Sequence, residues 1–391
     1  MTSPFDWIAD ELHSLEERSL VRARRKVQPL SGGRCEVDGQ VLWNFSGNDY
    51  LGLADDPVVM TAVKNELKSG TGVGARASAL VTGHTPLHSK LEERLAEFKG
   101  TEAAILFPTG FAANFGTVTS LVGPEDVIFC DRLNHASLID GARHSRARFR
   151  VYPHCELSTL RKELEKSGDF RRRLIVTDSL FSMDGDVAPL SDLAKLAEEF
   201  DAMLLVDEAH ATGVFGERGS GLLEAQQVKS ENIVSVGTLS KAVGAQGGFV
   251  AGSRILCDWL WNTSRTSMFS TALSPVLCAA ALAALERIQN QPRRRRDLLS
   301  RSESIKLQLQ SQGWTVPESV VGPIIPVIVG EAERAIHLAT ELQTLGVLVA
   351  AIRPPTVSKG TARLRISISS AHEEAGLRCL LENFHKVRGN R

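Results

Sequence analysis

Met203-Leu204-Leu205-Val206-Asp207-Glu208-Ala209-His210 is the stretch on which the fold turns. An unbroken apolar run leaves no polar face, so it reads as a strand covered on both sides, and it ends abruptly on acids and a histidine. The pattern repeats at Ile233-Val234-Ser235-Val236, which leads into Gly237-Thr238-Leu239-Ser240-Lys241, and at 103–107, 127–130, 148–151 and 174–177. Helix-length segments separate the runs. This alternation predicts an α/β fold: a large domain with a mostly parallel sheet flanked by helices, in which ligands bind beyond the C-terminal strand ends.

Outward from this core the pattern changes. Upstream, residues 5–27 read as an amphipathic helix closing on Arg22, Arg24, Arg25 and Lys26. Two short strands follow, around Glu36 and over 41–45, with Asp38-Gly39 as the hairpin turn between them. Downstream, a basic helix over 292–312, a strand at 324–329, a helix over 331–345, strands at 347–350 and 363–368 and a helix from Ala371 make a smaller C-terminal α+β domain. Boundaries are drawn accordingly: 1–45, an N-terminal helix and short strands; 46–285, the large domain; 286–391, the small one. Neither a repeat nor a low-complexity tract is present.

The 391 residues are 43% hydrophobic, enough for a large core and a second one. The formal net charge is −1, so no global field exists to draw in nucleic acid or an anionic membrane. The arginine runs at 171–173 and 293–296 read as solvated faces. The six cysteines form no CxxC pair and none has metal-ligand spacing to a histidine, which points to a reduced, intracellular and cytoplasmic chain without a metal. No secretory signal is expected, because the first residues are acidic rather than basic. The longest apolar stretch, 275–285, is short of the roughly 20 residues that span a bilayer.

The strand ends carry the chemistry. Asp207, at the rim of a buried strand, needs a partner for its charge. It is either the cap of the next helix or the counter-ion of a protonated pyridine nitrogen, as pyridoxal 5'-phosphate (PLP) requires. Lys241 is alone an ordinary loop lysine. Paired with an aspartate at the preceding strand end and flanked by Thr238 and Ser240, whose hydroxyls can meet a phosphate, it becomes a Schiff-base candidate. Thr109-Gly110-Phe111 opens a helix whose N–H groups suit a phosphate, or it is a plain strand-to-helix turn. His135 either stacks on a ring or caps a helix. Gly70-Thr71-Gly72-Val73-Gly74 partly matches a dinucleotide-binding loop, but a helix rather than a strand precedes it, so a nicotinamide role is weak.

Taken together these motifs resemble the α-oxoamine synthases, a fold-type-I PLP transferase family, over nearly the whole chain. The matching segments are Asn44-Phe45-Ser46-Gly47-Asn48-Asp49-Tyr50-Leu51-Gly52, Thr109-Gly110-Phe111-Ala112-Ala113-Asn114, Leu133-Asn134-His135-Ala136-Ser137, Phe181-Ser182-Met183-Asp184-Gly185-Asp186, Asp207-Glu208-Ala209-His210-Ala211-Thr212-Gly213 and Thr238-Leu239-Ser240-Lys241. Ile352-Arg353-Pro354-Pro355-Thr356 is similar to the branch that makes 8-amino-7-oxononanoate in biotin biosynthesis. The resemblance implies a homodimeric enzyme that condenses L-alanine with a pimeloyl thioester, on acyl carrier protein or CoA, with loss of CO2.

It also implies roles by position. Lys241, Asp207, His135 and His210 form the catalytic set: Schiff base and proton carrier, ring-nitrogen partner, ring stack, and ring-oxygen partner. Gly110, Phe111, Thr238 and Ser240 face the phosphate, with Ser270 and Thr271 reaching it from a second subunit, and Ser182 lies in a cofactor-contacting motif. Asn48, Arg353, Thr356, His135 and Arg22 bind substrate. Gly47, Thr109 and Asp178 depart from the usual family residues, and none touches the Schiff-base chemistry. The rivals are a glycine-using relative that takes acetyl-CoA, for which Arg353 is the discriminating residue, and a non-catalytic family member, which would be expected to lack the lysine.

Overall fold

A computed structural model describes residues 3–389 apart from Ser19 and Ala23. Contacts divide the chain into two compact units, Asn48–Leu299 and Met1–Gly47 with Ser300–Arg391. The division falls inside the helix Pro292–Ser311, whereas the sequence suggested boundaries after residues 45 and 285.

The N-terminal helix is shorter than its pattern implied. It spans Asp6–Glu17 and has no buried residue. Just past the expected helix, which was drawn over 5–27, β1 (Val27–Leu30) pairs antiparallel with β2 (Arg34–Val37), which pairs with β3 (Gln40–Asn44). Amphipathic spacing could not anticipate β1, because a strand exists only where a neighbour takes its backbone bonds. The Asp38-Gly39 turn forms as expected, with φ of 50° and 80°, the left-handed pair that a two-residue hairpin demands.

In the larger unit seven strands form one sheet: β4 (Ala103–Phe107), β5 (Val127–Asp131), β6 (Arg148–Tyr152), β7 (Arg173–Asp178), β8 (Met203–Asp207), β9 (Ile233–Thr238) and β10 (Gly248–Gly252), in the order β4-β10-β9-β8-β7-β5-β6. All neighbours are parallel except β10, which is antiparallel to both β4 and β9. The sequence reading passed over β10, whose glycine-bounded Gly248-Phe249-Val250-Ala251-Gly252 looks weak for a strand. The glycine at its start is a packing requirement. A Cβ on Gly248 would lie 2.3 Å from the Thr109 carbonyl oxygen and 2.7 Å from Gly110 N.

β5 is buried throughout and β8 from Leu204 onward, as their unbroken apolar runs demand. Ile128, Leu174, Val176 and Leu205 are inaccessible, each contributing roughly 1.5–3 kcal/mol of apolar burial. β6 is different. It is an edge strand with Arg148 and Val151 exposed, and Arg150 on it pairs with Glu163 at 3.1 Å. The expectation of a strand buried on both faces fails there, because an edge is protected by charge rather than by cover.

The smaller unit continues with β11 (Ile324–Gly330), β12 (Val347–Leu348), β13 (Ala350–Ile352) and β14 (Ala362–Ser367). β12 adds parallel to β3, and β11-β14-β13 make an antiparallel sheet. The strand expected over 347–350 is therefore two strands in two sheets. Helices Ala332–Thr344 and Glu374–Gly389 complete the unit.

The arginine runs are not simply solvated. Arg295 is buried and donates to the carbonyls of Ile288 and Glu217, while Arg294 and Arg287 converge at 3.1 Å on the buried Asp56 carboxylate. Arg171 likewise holds the buried Asp126 at 2.9 Å. Each guanidinium has a fixed acceptor, which the run of charge alone did not disclose. No helix among the described residues is long and apolar enough to cross a membrane.

Candidate active site

The C-terminal ends of β5, β7, β8 and β9 gather the residues singled out from the sequence. Asp207 closes β8 and lies directly opposite Asp178 on β7 in the parallel register. Its carboxylate is buried. Oδ1 accepts from the backbone N–H of Ala209 at 2.8 Å, and Oδ2 accepts from Asn114 Nδ2 at 2.6 Å. The Ala209 bond is a local turn contact; the next helix begins only at Leu222, so Asp207 does not cap it and the capping reading falls. Asn114 also donates to Ser137 Oγ at 2.9 Å, and Ser137 Oγ is 2.7 Å from His135 Nδ1. A continuous polar chain thus runs Asp207–Asn114–Ser137–His135.

His135 caps the helix Ala136–His144, and its backbone N–H donates to Asp178 Oδ2 at 2.8 Å. The protein packed around the imidazole lowers its pKa below the ordinary value; the Asp207 charge works against this and the Lys241 ammonium with it. The neutral ring accepts at Nδ1 from Ser137, which leaves the proton on Nε2. Asp178 is held well above the usual carboxylate range by burial, with Asp207 adding to the effect and the His135 N–H and Lys241 opposing it.

The helix Gly110–Leu121 begins after β4 and runs over the sheet. Its cap, Thr109, accepts from the Ala112 N–H at 3.1 Å. A Cβ on Gly110 would sit 3.1 Å from Thr238 Cβ. The glycine thus brings the first N–H groups of the helix, which have no intrahelical acceptors, against the Thr238 side chain. Thr238 Oγ1 donates to the Gly247 carbonyl at 2.8 Å and accepts from the Ser240 N–H at 3.2 Å, which shapes the loop that carries Lys241. His210 is buried, with Nδ1 2.6 Å from Tyr50 Oη.

Ser182 lies in the turn between β7 and the helix Leu190–Glu199, a turn closed by Phe181 N donating to the Asp186 carbonyl at 3.0 Å. Thr271 forms an isolated bridge with Ser78, beside Ser270. Arg22, Arg353 and Thr356 belong to the smaller unit, where Arg353 Nη2 donates to the Val21 carbonyl at 2.8 Å. Gly70–Gly74 follows the helix Pro57–Lys68 and not a strand, which removes the dinucleotide reading.

Beside this cluster, His154 bridges two loops. Nδ1 is 3.0 Å from Asp131 Oδ1 at the end of β5, and Nε2 is 2.8 Å from Asp186 Oδ2. Cys155 Sγ stands 3.7 Å from the ring, a gathering of ligand-type groups that cysteine spacing did not reveal. Both nitrogens are engaged by carboxylates. Burial pulls the His154 pKa down, but the bonds to Asp131 and Asp186 outweigh it and raise it to about 12. The folded pKa thus exceeds the unfolded value of about 6.5, so the stabilisation is complete below that pH and drains away as pH rises toward 12. The stability advantage of the native chain over His154→Gln is therefore expected to be largest at pH 6 and to shrink steadily by pH 10, read from urea midpoints. A difference independent of pH would contradict the charged bridge.

A family model for aminotransferase class I and II matches residues 40–384. The chain belongs to this family. Among the family's members, the chain is 46% identical over 370 residues to the 8-amino-7-oxononanoate synthase of Anaeromyxobacter dehalogenans strain 2CP-1, covering 95% of this chain and 92% of that one. It is 42% identical to 8-amino-7-oxononanoate synthase 2 of Bacillus subtilis strain 168, covering 97% of each. Among solved structures it superposes with TM-score 0.93 at 29% identity on a serine palmitoyltransferase variant from S. paucimobilis with a bound PLP–myriocin aldimine, covering 99% of this chain and 98% of that one. The family's fold is the one described above, a large sheet domain with a smaller second domain.

The residues at the strand ends fit PLP. Asn114, Ser137 and Tyr50 were quoted only as parts of motifs, and their site roles escaped the sequence reading. Their signal lies in side-chain contacts across the sheet, which linear spacing does not carry. Asn114 Oδ1 is buried without a hydrogen-bond partner, a polar atom left over at the carboxylate end of the cluster. At the opposite end the Gly110 gap against Thr238 admits no side chain, which suits an anion held by backbone N–H groups.

Proposed function

We propose that this enzyme is a PLP-dependent acyltransferase that joins L-alanine to a pimeloyl thioester, giving 8-amino-7-oxononanoate, CO2 and the free thiol in biotin biosynthesis. The observation that carries the reading is the similarity over nearly the whole chain to 8-amino-7-oxononanoate synthases, and the polar chain from Asp207 through Asn114 and Ser137 to His135 supports it. In the same reading the enzyme is a cytoplasmic homodimer, consistent with six free cysteines, and Ser270 and Thr271 serve the partner's phosphate site.

PLP, when bound, supplies the electron sink without which an alanine Cα proton is too weakly acidic to remove. Lys241 would hold the cofactor through Nζ, and the same Nζ would take the Cα proton of the substrate. Asp207, itself held by Asn114 and Ala209, would keep the ring nitrogen protonated. His135, fixed by Ser137, would pack on the ring, and His210 would donate to the ring oxygen. The N–H groups of Gly110 and Phe111, with Thr238 and Ser240, would hold the phosphate, and Ser182 would close the cofactor pocket. The new bond forms between alanine Cα and the thioester carbonyl carbon as the thiolate leaves; the carboxyl group then departs as CO2, and Lys241 Nζ would return a proton to Cα in its place. Asn48, Arg353, Arg22 and Thr356 are assigned to substrate.

An assay pairing alanine or glycine with pimeloyl or acetyl thioesters tests the proposal. Alanine with a pimeloyl thioester is expected to be preferred by at least about 100-fold in kcat/KM, the scale on which a pocket separates chains differing by several methylenes. Preference for glycine with acetyl-CoA would overturn it. Running the pimeloyl arm on both acyl carrier protein and CoA identifies the donor.

A further inference from the structure

β5 leaves its neighbour β7 before β7 ends. The two strands pair in parallel from Val127 opposite Arg173 to Cys130 opposite Val176, and the next pair, Asp131 with Thr177, does not form. A parallel neighbour opposite Thr177 would donate to the Val176 carbonyl and accept from the Asp178 N–H. The buried Asn134 carboxamide makes both bonds. Nδ2 donates to the Val176 carbonyl at 2.8 Å, and Oδ1 accepts from the Asp178 N–H at 3.0 Å. Nδ2 also donates to Cys130 Sγ at 3.2 Å. The amide has one orientation, since turning it round would set oxygen against a carbonyl and N–H against N–H.

We infer that Asn134 is a positioning residue: its carboxamide stands in for the missing β5 residue and thereby fixes where His135 sits against the cofactor ring. The inference rests on the ring-packing role given to His135 above. The His135 N–H donates to Asp178 Oδ2 at 2.8 Å, so the residues on both sides of the Asn134–His135 peptide bond are tied to residue 178. Asp178 in turn lies opposite Asp207 in the register of β7 and β8. The residue assigned to the ring face and the residue assigned to the ring nitrogen are thus spaced by the sheet ladder, although His135 itself lies in a turn. Removing the carboxamide leaves the Val176 carbonyl and the Asp178 N–H without partners in a place closed to water, and the turn must move to satisfy them.

The test compares the native chain with Asn134→Ala and with Asn383→Ala, which removes another buried asparagine, one that donates to the Leu345 carbonyl in the smaller unit. Amide hydrogen exchange is read without cofactor, and PLP is then titrated into each protein. The His135 amide is expected to be protected in the native chain and in Asn383→Ala, and to exchange about tenfold faster or more in Asn134→Ala. Asn134→Ala is expected to bind PLP roughly three- to thirtyfold more weakly, part of the worth of the two backbone bonds lost, with an altered visible circular-dichroism band. Asn383→Ala should match the native chain in both. An unprotected His135 amide in the native chain overturns the inference, and this measurement decides alone if Asn134→Ala fails to fold. Unchanged exchange in Asn134→Ala, unchanged PLP binding, or an equal loss in both variants also overturns it. No substrate enters the experiment, so failure of the pimeloyl reading and failure of this inference are distinguishable.

Discussion

Replacing Lys241 by alanine is expected to lower kcat/KM by roughly 10³–10⁴-fold or more, because on the proposed mechanism the change removes both the covalent anchor and the base for the Cα proton. The residues at the two ends of the cofactor are untouched. The helix opening at Gly110 still faces Thr238, and Asp207 is still held by Asn114. The variant is therefore expected to bind PLP without covalent linkage. Borohydride should fix the cofactor to the native chain and not to Lys241→Ala, and dialysis should strip it from the variant alone. The electrostatics respond as well. The Lys241 charge is one of the influences that lower the His135 pKa, so in the cofactor-free variant His135 should titrate at higher pH than in the native chain. Turnover at the native rate would remove Lys241 from the mechanism.

The second large effect lies beneath the site. Lys99, the last residue of the helix Pro86–Lys99, sends its ammonium into the protein, where it meets Glu208 Oε2 at 2.6 Å; the two side chains are 3% and 1% exposed. Lys99 also donates to Thr212 Oγ1 at 3.1 Å, and Ser235 Oγ and the Leu223 N–H donate to Glu208. Glu208 stands between Asp207 and the His210 turn, so the pair ties the end of β8 to a helix on the sheet's face. Lys99→Met leaves Glu208 buried without its cation, which is expected to cost about 3–5 kcal/mol. Urea unfolding should show a lower midpoint, and the double change Lys99→Met with Glu208→Gln should recover part of the loss because no charge is then stranded. An unchanged midpoint in Lys99→Met would show that the pair does not hold this turn.

The two predictions draw on different kinds of information. Lys241 and Asp207 stand out as candidates because a buried parallel strand has a recognisable composition and both come at or just past the end of one. His135, His210, Thr238 and Gly110 stand out for the same reason, each coming at or just after an apolar run. Lys99 does not. It sits near the end of an ordinary amphipathic helix among other charged residues, and nothing local distinguishes a lysine that turns inward from one that faces water. Arg295 was misread in the same way; β10 owes its place partly to the distant β4, while β1 is a short exposed strand held only by its neighbour β2.

By itself, then, the sequence determined the class of fold, the strand ends that bear chemistry, and the residue types available there. These follow from periodicity and composition, which act over a few residues. Only the tertiary structure decided which strand ends are neighbours. The order β4-β10-β9-β8-β7-β5-β6 places Asp207 opposite Asp178 and lets Asn114, from the helix after β4, reach across to β8. It also decided that Tyr50 meets His210 and that Lys99 meets Glu208. Such contacts join residues far apart in the chain, and their strength comes from removing both partners from water, a condition set only when the sheet and its helices have closed over them.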